Sequence, residues 1–110
     1  MKYLPILFVL LSASPVAGAA SFDCQKAKAA DERAICAHLT LNDKDVEMAT
    51  QYRFLKGLLA MGARGALQDA QQSWLSQRRR CQGSVTCLNR AYDKRLGQLK
   101  ALYDAIDKPL

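Results

Sequence analysis

The chain has 110 residues, with 16 lysine or arginine residues against 10 aspartate or glutamate residues, and a formal net charge of +6. A chain of this length forms one domain with a thin core, since it buries only about 60–65% of the surface that its unfolded form exposes. One histidine and no Cys-x-x-Cys spacing argue against a zinc site, and no glycine-rich phosphate loop or Gly-x-Ser-x-Gly motif is present. We therefore expect no metal and no cofactor.

A secretory signal peptide is predicted over residues 1–20. Lys2 provides a short positive region, residues 4–11 form an apolar run, and the small residues that follow suit signal peptidase. These features predict cleavage after Ala19 or Ala20. The apolar run is shorter than the roughly 20 residues that a membrane-spanning helix needs, so we expect no transmembrane segment once the leader is removed.

Removal of the leader leaves one helical domain, residues 21–110, which we expect in a bacterial periplasm or secreted from the cell. Because Lys2 leaves with the leader, 15 of the 16 basic residues remain against 10 acidic ones, a net charge of +5. Such a charge favours anionic partners or serves solubility alone. The exported location argues against nucleic acid as the ligand.

Four helices are predicted, because apolar residues recur at helical spacing and no strand pattern of period two persists. The first, third and fourth cover residues 29–38, 66–80 and 87–106. The second begins at residue 42 or 43 and ends at residue 61. Gly62 and Gly65 indicate the connection between the second and third helices, with Gly62 as a left-handed helix end. Gly83 and Ser84 indicate the connection between the third and fourth helices. Short connections imply antiparallel neighbours. The expected fold is all-α, a small antiparallel helical bundle of one short and three longer helices.

The inward face of each longer helix follows from the same spacing. The predicted core positions are Leu41, Met48, Tyr52, Leu55, Leu59, Leu67, Trp74, Leu75, Leu88, Tyr92, Leu96, Leu99, Leu102 and Ile106.

The four cysteines are predicted to form two disulfides, because an exported chain with an even cysteine count more often makes structural bridges than catalytic thiols. The topology places all of them near one end of the bundle. We favour the local pairs Cys24–Cys36 and Cys81–Cys87, although three connectivities are possible and crossed pairing stays open. A small core gains a large share of its stability from such bridges.

Four charged residues are predicted to form an internal ion-pair network at the cysteine end. Asp45, Arg78 and Arg95 interrupt the apolar stripes of their helices, and Glu32 lies on the short first helix. A lone buried charge is costly, so each must pair or reach water. We expect Asp45 to pair with one arginine and Glu32 with the other; the alternative is a polar recognition site. Acids held in this way leave no free pair for acid–base catalysis, and no catalytic residue is predicted.

A second set of cations is a candidate patch for an anionic ligand. Arg79 and Arg80 point outward if Arg78 points inward, and Arg90 with Lys94 on the fourth helix can extend the patch. The alternative is a solvated face at a helix C-terminus, where cations suit the helix dipole.

One pattern of residues runs through the chain after the leader. In order and spacing, its members are Phe22-Asp23-Cys24, Lys26-Ala27, Glu32, Ile35-Cys36, Asp45, Tyr52, Gln72, Trp74-Leu75, Arg78, Cys81, Cys87-Leu88, Tyr92, Arg95 and Leu99. By this pattern the sequence resembles the N-terminal domain family of the lysozyme inhibitor LprI. Three positions depart from the family pattern: Ala29 and Ala30 stand where Ser or Thr followed by Pro is common, and Lys44 stands where an apolar residue is usual.

The resemblance implies a small exported helical domain of the bacterial envelope that inhibits or modulates a lysozyme-type cell-wall hydrolase. Such a protein would act by binding and not by catalysis. Because animal lysozymes are commonly basic, inhibition by a +5 chain would need a local acidic or neutral surface. The alternative function is an envelope adaptor that binds an anionic glycan, lipid headgroup or acidic protein through the basic patch.

Overall fold

Four α-helices and one short 3-10 helix form the part of the chain that the computed structural model describes, residues 20–106. The prediction of an all-α bundle with one short and three longer helices is confirmed. The predicted signal peptide lies, except for Ala20, outside the described residues. In chain order, the elements are the 3-10 helix Cys24–Lys26, α1 (Ala30–Ala37), α2 (Leu39–Leu58), α3 (Met61–Arg80) and α4 (Val85–Ala105).

The connection between α2 and α3 is shorter than predicted, and the prediction of a left-handed end at Gly62 is wrong. Gly62 and Gly65 both lie inside α3, and no described glycine has a positive φ. Instead Leu59 and Ala60 adopt extended backbone and end α2 directly. The guanidinium of Arg64 donates to the Leu59 carbonyl at 3.0 Å, which satisfies a group that the end of a helix leaves without a partner.

The other two connections also differ in detail from the predicted ones. His38 alone, in an extended conformation, separates α1 from α2, so α2 begins before the predicted start at Asn42 or Asp43. The break at Gly83 and Ser84 is confirmed. There Gln82 takes the positive φ of 56°, and the Ser84 hydroxyl accepts from the Cys87 amide at 3.2 Å to cap α4.

The three long helices run up, down and up. Lys44 on α2 lies 2.8 Å from Asp93 on α4, and Phe54, further along α2, packs on Tyr103, further along α4. Helices α2 and α4 are therefore parallel. Helix α3 runs opposite to both, and α1 contacts all three.

One hydrophobic core joins the helices. The Trp74 indole donates to the Ala91 carbonyl at 2.9 Å and meets the ring of Tyr92 edge-on at 5.0 Å. Most predicted inward positions are buried or half-buried, whereas Leu102 is exposed. The buried apolar residues are Ile35, Leu41, Met48, Leu55, Leu67, Trp74, Cys81, Leu88, Tyr92 and Leu99.

Both predicted disulfides are confirmed as the local pairs. Cys24–Cys36 ties the segment before α1 to the end of α1, with the two Cα atoms 5.9 Å apart. Cys81–Cys87 closes the connection between α3 and α4, with a Cα separation of 5.4 Å. Among the described residues, no helix is both long enough and apolar enough to cross a membrane.

Candidate functional site

The buried cluster centres on the guanidinium of Arg78. Its Nε donates to Asp31 Oδ2 at 2.9 Å, and its Nη1 donates to the Tyr92 hydroxyl at 3.4 Å. Nη1 also lies 3.8 Å from Asp45 Oδ1, and Nη2 lies 4.0 Å from Glu32 Oε2. We call these five side chains the Arg78 cluster. It links all four helices at the disulfide end of the bundle.

The carboxylate of Asp45 has no solvent exposure and uses both oxygens. Oδ1 accepts from the Tyr92 hydroxyl at 2.7 Å, and Oδ2 accepts from the backbone amide of Ser21 at 2.6 Å. Burial, and then the charge of Asp45, raise the pKa of Tyr92 far above its usual range, so its hydroxyl stays a donor. Asp45 is thereby fixed in one orientation.

Arg78 stays charged within this cluster. Burial by itself would lower the pKa of the Arg78 guanidinium, but Tyr92 and Asp31 face it and the net shift is upward. The rings of Phe22 and Trp74 add cation–π contacts, at 5.5 and 5.8 Å from the guanidinium carbon.

The structure brings Asp45 and Arg78 together as predicted, but it makes Asp31 the closest partner of Arg78. Asp31 is almost fully buried, whereas the predicted partner Glu32 is half-buried at the edge of the cluster. Sequence reasoning missed Asp31. The available signal was its position four residues before Ile35, which places both on the buried face of α1.

Arg95 lies apart from the Arg78 cluster. Its Nε donates to Gln71 Oε1 at 3.0 Å and its Nη1 donates to Gln98 Oε1 at 3.1 Å. No carboxylate lies within 4.0 Å of it among residues 20–106, so the expected balance of two carboxylates against two guanidiniums does not form. Burial lowers the pKa of Arg95, against a smaller upward effect of Tyr52.

All four residues of the predicted basic patch are exposed. Arg79 and Arg80 lie in the last turn of α3, and Arg90 with Lys94 shares one face of α4 at a spacing of four residues. Within the described part of the chain, none of the four lies within 4.0 Å of a carboxylate. Lys94 also lines a small cleft of about 260 Å³ between α3 and α4.

The outward side of α2 carries both apolar and acidic residues. We call Leu39, Asp43, Val46, Glu47 and Phe54 the α2 face, because their spacing places them on one side of the helix. All five are exposed, and Leu39 is 76% and Phe54 57% accessible. Sequence reasoning asked for a local acidic or neutral surface but did not find this combination of acids and exposed apolar side chains.

The α2 face continues into a groove between α2 and α4. The groove has a volume of about 560 Å³, and Glu47 and Phe54 form part of its wall. Tyr103 and Lys100 lie on the α4 side, where Lys100 pairs with Asp104 at 2.7 Å. Its lining is mainly apolar, which suits a protein contact better than a small charged ligand.

Together the fold and the Arg78 cluster define a small helical domain stabilised by disulfides and by a buried ion-pair network. The profile of the family described as "Lysozyme inhibitor LprI" matches residues 24–85, which is more than half of the chain, so the protein belongs to the LprI family. The match ends at the start of α4, and the resemblance noted for Cys87 to Leu99 lies beyond it. No curated protein and no solved structure matches the chain.

Proposed function

We propose that the protein is exported to the bacterial envelope, in the periplasm or outside the cell, and inhibits a lysozyme-type cell-wall hydrolase. Membership of the LprI family is the observation that carries this proposal. The two disulfides are consistent with an oxidising compartment. The protein acts by binding over the substrate cleft of the hydrolase.

The Arg78 cluster supports binding over catalysis. Acid–base cleavage of a glycosidic bond needs two carboxyl groups that flank the bond. Asp31 and Asp45 are buried and already bonded to Arg78, Tyr92 and the Ser21 amide, so neither can reach a substrate. We infer a structural role for the cluster, which holds the four helices in register.

The α2 face is our proposed contact surface. A hydrolase of basic surface would be repelled by the +5 protein as a whole, but Asp43 and Glu47 place negative charge beside exposed apolar side chains. Interfaces combine an apolar centre with a polar rim, and complementary charge speeds association. Leu39, Val46 and Phe54 would supply the apolar centre.

A turbidity assay of cell-wall lysis tests the inhibition directly. Adding the purified, oxidised protein is expected to slow lysis by lysozyme in proportion to its concentration. If a large molar excess leaves the rate unchanged at both low and moderate salt, the inhibitor proposal is wrong.

Reversing charge on the α2 face is expected to weaken inhibition. The double variant Asp43→Lys/Glu47→Lys should raise the inhibition constant against a basic lysozyme by about tenfold at low salt, because two attractive rim charges become repulsive. A double control that includes Asp93 is unsuitable, since Asp93 pairs with Lys44. The control is therefore a single substitution: Asp69→Lys, at an exposed position on α3, is compared with Asp43→Lys. Equal inhibition by these two variants would contradict the assignment of the α2 face.

The second candidate is an adaptor that binds an anionic glycan or lipid headgroup. The observation that favours it is the exposure of Arg79, Arg80, Arg90 and Lys94 without a carboxylate within 4.0 Å among the described residues.

Neutralising part of the basic patch tests the adaptor function. Arg79→Gln/Arg80→Gln should elute from a sulfated-glycan column at clearly lower salt and bind phosphatidylglycerol vesicles more weakly, because exposed charge attraction is screened by salt. Lys26→Gln/Arg53→Gln, which removes the same charge from two other exposed positions, is the control. Retention that falls equally in both variants would show that only net charge matters.

A further inference from the structure

The Arg78 cluster has more buried negative charge than positive charge. Arg78 is its only cation, whereas Asp31 and Asp45 are both buried and Glu32 faces the same guanidinium from its edge. Nε of Arg78 is used by Asp31, and Nη1 is shared between Tyr92 and Asp45. Uncompensated buried charge is costly. The position of Asp45 therefore calls for a second cation.

The backbone nitrogen of Ser21 occupies the position where that cation would be needed. It lies 2.6 Å from Asp45 Oδ2, on the side of the carboxylate away from Tyr92. Ser21 itself is exposed, so a charged group there would keep part of its hydration while it contacts the buried carboxylate. The nitrogen is held in place by its neighbour Phe22, whose ring packs over Arg78.

We propose that the leader is cut between Ala20 and Ser21, and that the new α-ammonium group of Ser21 forms an ion pair with Asp45 that completes the Arg78 cluster. This inference rests on the proposed export of the protein. Small residues at 17–20 permit cleavage after either Ala19 or Ala20, and the Ser21–Asp45 contact distinguishes the two, since only the second cut makes this nitrogen a terminus.

The proposed step is simple hydrolysis. Water adds across the peptide bond, Ala20 leaves with the carboxylate, and the Ser21 amine takes up a proton at neutral pH. The precursor has a neutral N–H donor at Asp45, and the processed protein has a cation in the same place. Processing thus converts a hydrogen bond into a charge-assisted ion pair, which is the stronger interaction.

The pH dependence of stability follows from this ion pair. A carboxylate partner should raise the pKa of the Ser21 amine above the ordinary α-amino value of about 7.7–8.0. The stabilisation is then fully present below pH 7 and is lost as pH rises through the raised pKa. The charged or titratable groups around the contact are Asp31 and Glu32 from α1, Asp45 from α2, Arg78 from α3 and Tyr92 from α4.

Intact mass of the protein exported from the full-length chain tests the cleavage position. We expect Ser21 as the first residue, and a terminus at Ala20 or at any residue after Ser21 would overturn the inference. The mass test is independent of the inhibition assay: a protein that begins at Ser21 but does not slow lysis contradicts only the proposed function. A chain that is exported without being cut would overturn the inference as well.

Nα-acetylation of Ser21 tests the ion pair, because it restores the neutral amide of the precursor. We expect the acetylated protein to unfold at a clearly lower urea concentration than the free-amine protein at pH 7, and at the same concentration at pH 10. Equal midpoints at pH 7 would overturn the ion pair.

Titration of the ¹⁵N-labelled Ser21 amine by NMR provides a second readout. We expect its pKa to fall to the ordinary range in Asp45→Asn and to stay raised in Asp43→Asn, an exposed control on the same helix. An ordinary pKa of the Ser21 amine in the unsubstituted protein would contradict the inference. That titration is made on the unsubstituted protein, so it does not depend on whether a variant folds.

Discussion

Replacing Arg78 with alanine is expected to lower the free energy of unfolding by about 3–5 kcal/mol, because it leaves buried charge without its partner. Asp31 and Asp45 are inaccessible to water and would both lose their nearest side-chain cation. A domain of this size has a total stability of about 5–15 kcal/mol. The variant is therefore expected to be at the edge of folding.

Urea unfolding of the oxidised protein measures this effect. Arg80→Ala, which removes an exposed arginine two residues away on the same helix, is expected to change stability by less than about 0.5 kcal/mol. Combining Arg78→Ala with Asp31→Asn should recover part of the loss, since one of the two unpaired charges is removed. Similar unfolding midpoints for Arg78→Ala and Arg80→Ala would contradict the structural role of the Arg78 cluster.

The helices and most of the core were predictable from the sequence because periodicity within one helix determines which face is buried. Trp74, Arg78, Tyr92 and Asp45 all occupy inward positions of their stripes, so their burial followed from spacing alone. The local disulfide pairs were also predictable from the sequence, since the cysteines of each pair are close together in the chain and all four lie near one end of the bundle.

The partners within the Arg78 cluster were only partly predictable, because they depend on how different helices meet. The spacing of Asp31 from Ile35 indicates the buried face of α1, but which arginine an acid on that face meets depends on how α1 packs on the other helices. Arg95 has a charge like that of Arg78, but in the bundle it faces Gln71 and Gln98. Side-chain amides carry no charge, and a count of charges could not identify them as its partners.

Helix ends were the least predictable feature of the fold. Gly62 and Gly65 predict a turn, because glycine favours the left-handed backbone in which many helices end. In the bundle, extended backbone at Leu59 and Ala60 reverses the chain without glycine, and α3 then starts immediately. The α2 face depended on the same detail, because the earlier start of α2 at Leu39 is what places that residue in line with Asp43 and Val46.

Removing the Cys24–Cys36 disulfide is the second change with a large expected effect. In the chain-entropy treatment, closing a loop of this length is worth about 3 kcal/mol, so Cys24→Ala/Cys36→Ala should lower the free energy of unfolding by about that amount. The bridge also anchors the segment that places Ser21 on Asp45 and Phe22 over Arg78. Its loss should therefore weaken the Arg78 cluster as well as release the segment.

The second disulfide provides the matched comparison. Cys81–Cys87 closes a shorter loop, with a sequence separation of 6 against 12, so Cys81→Ala/Cys87→Ala should cost less, about 2 kcal/mol. Hydrogen exchange separates the two effects: amides of residues 22–28 should exchange faster in the first variant and remain unchanged in the second. If both variants kept the unfolding midpoint of the oxidised protein, the bundle would be stable without its bridges, and packing together with the Arg78 cluster would have to account for all of its stability.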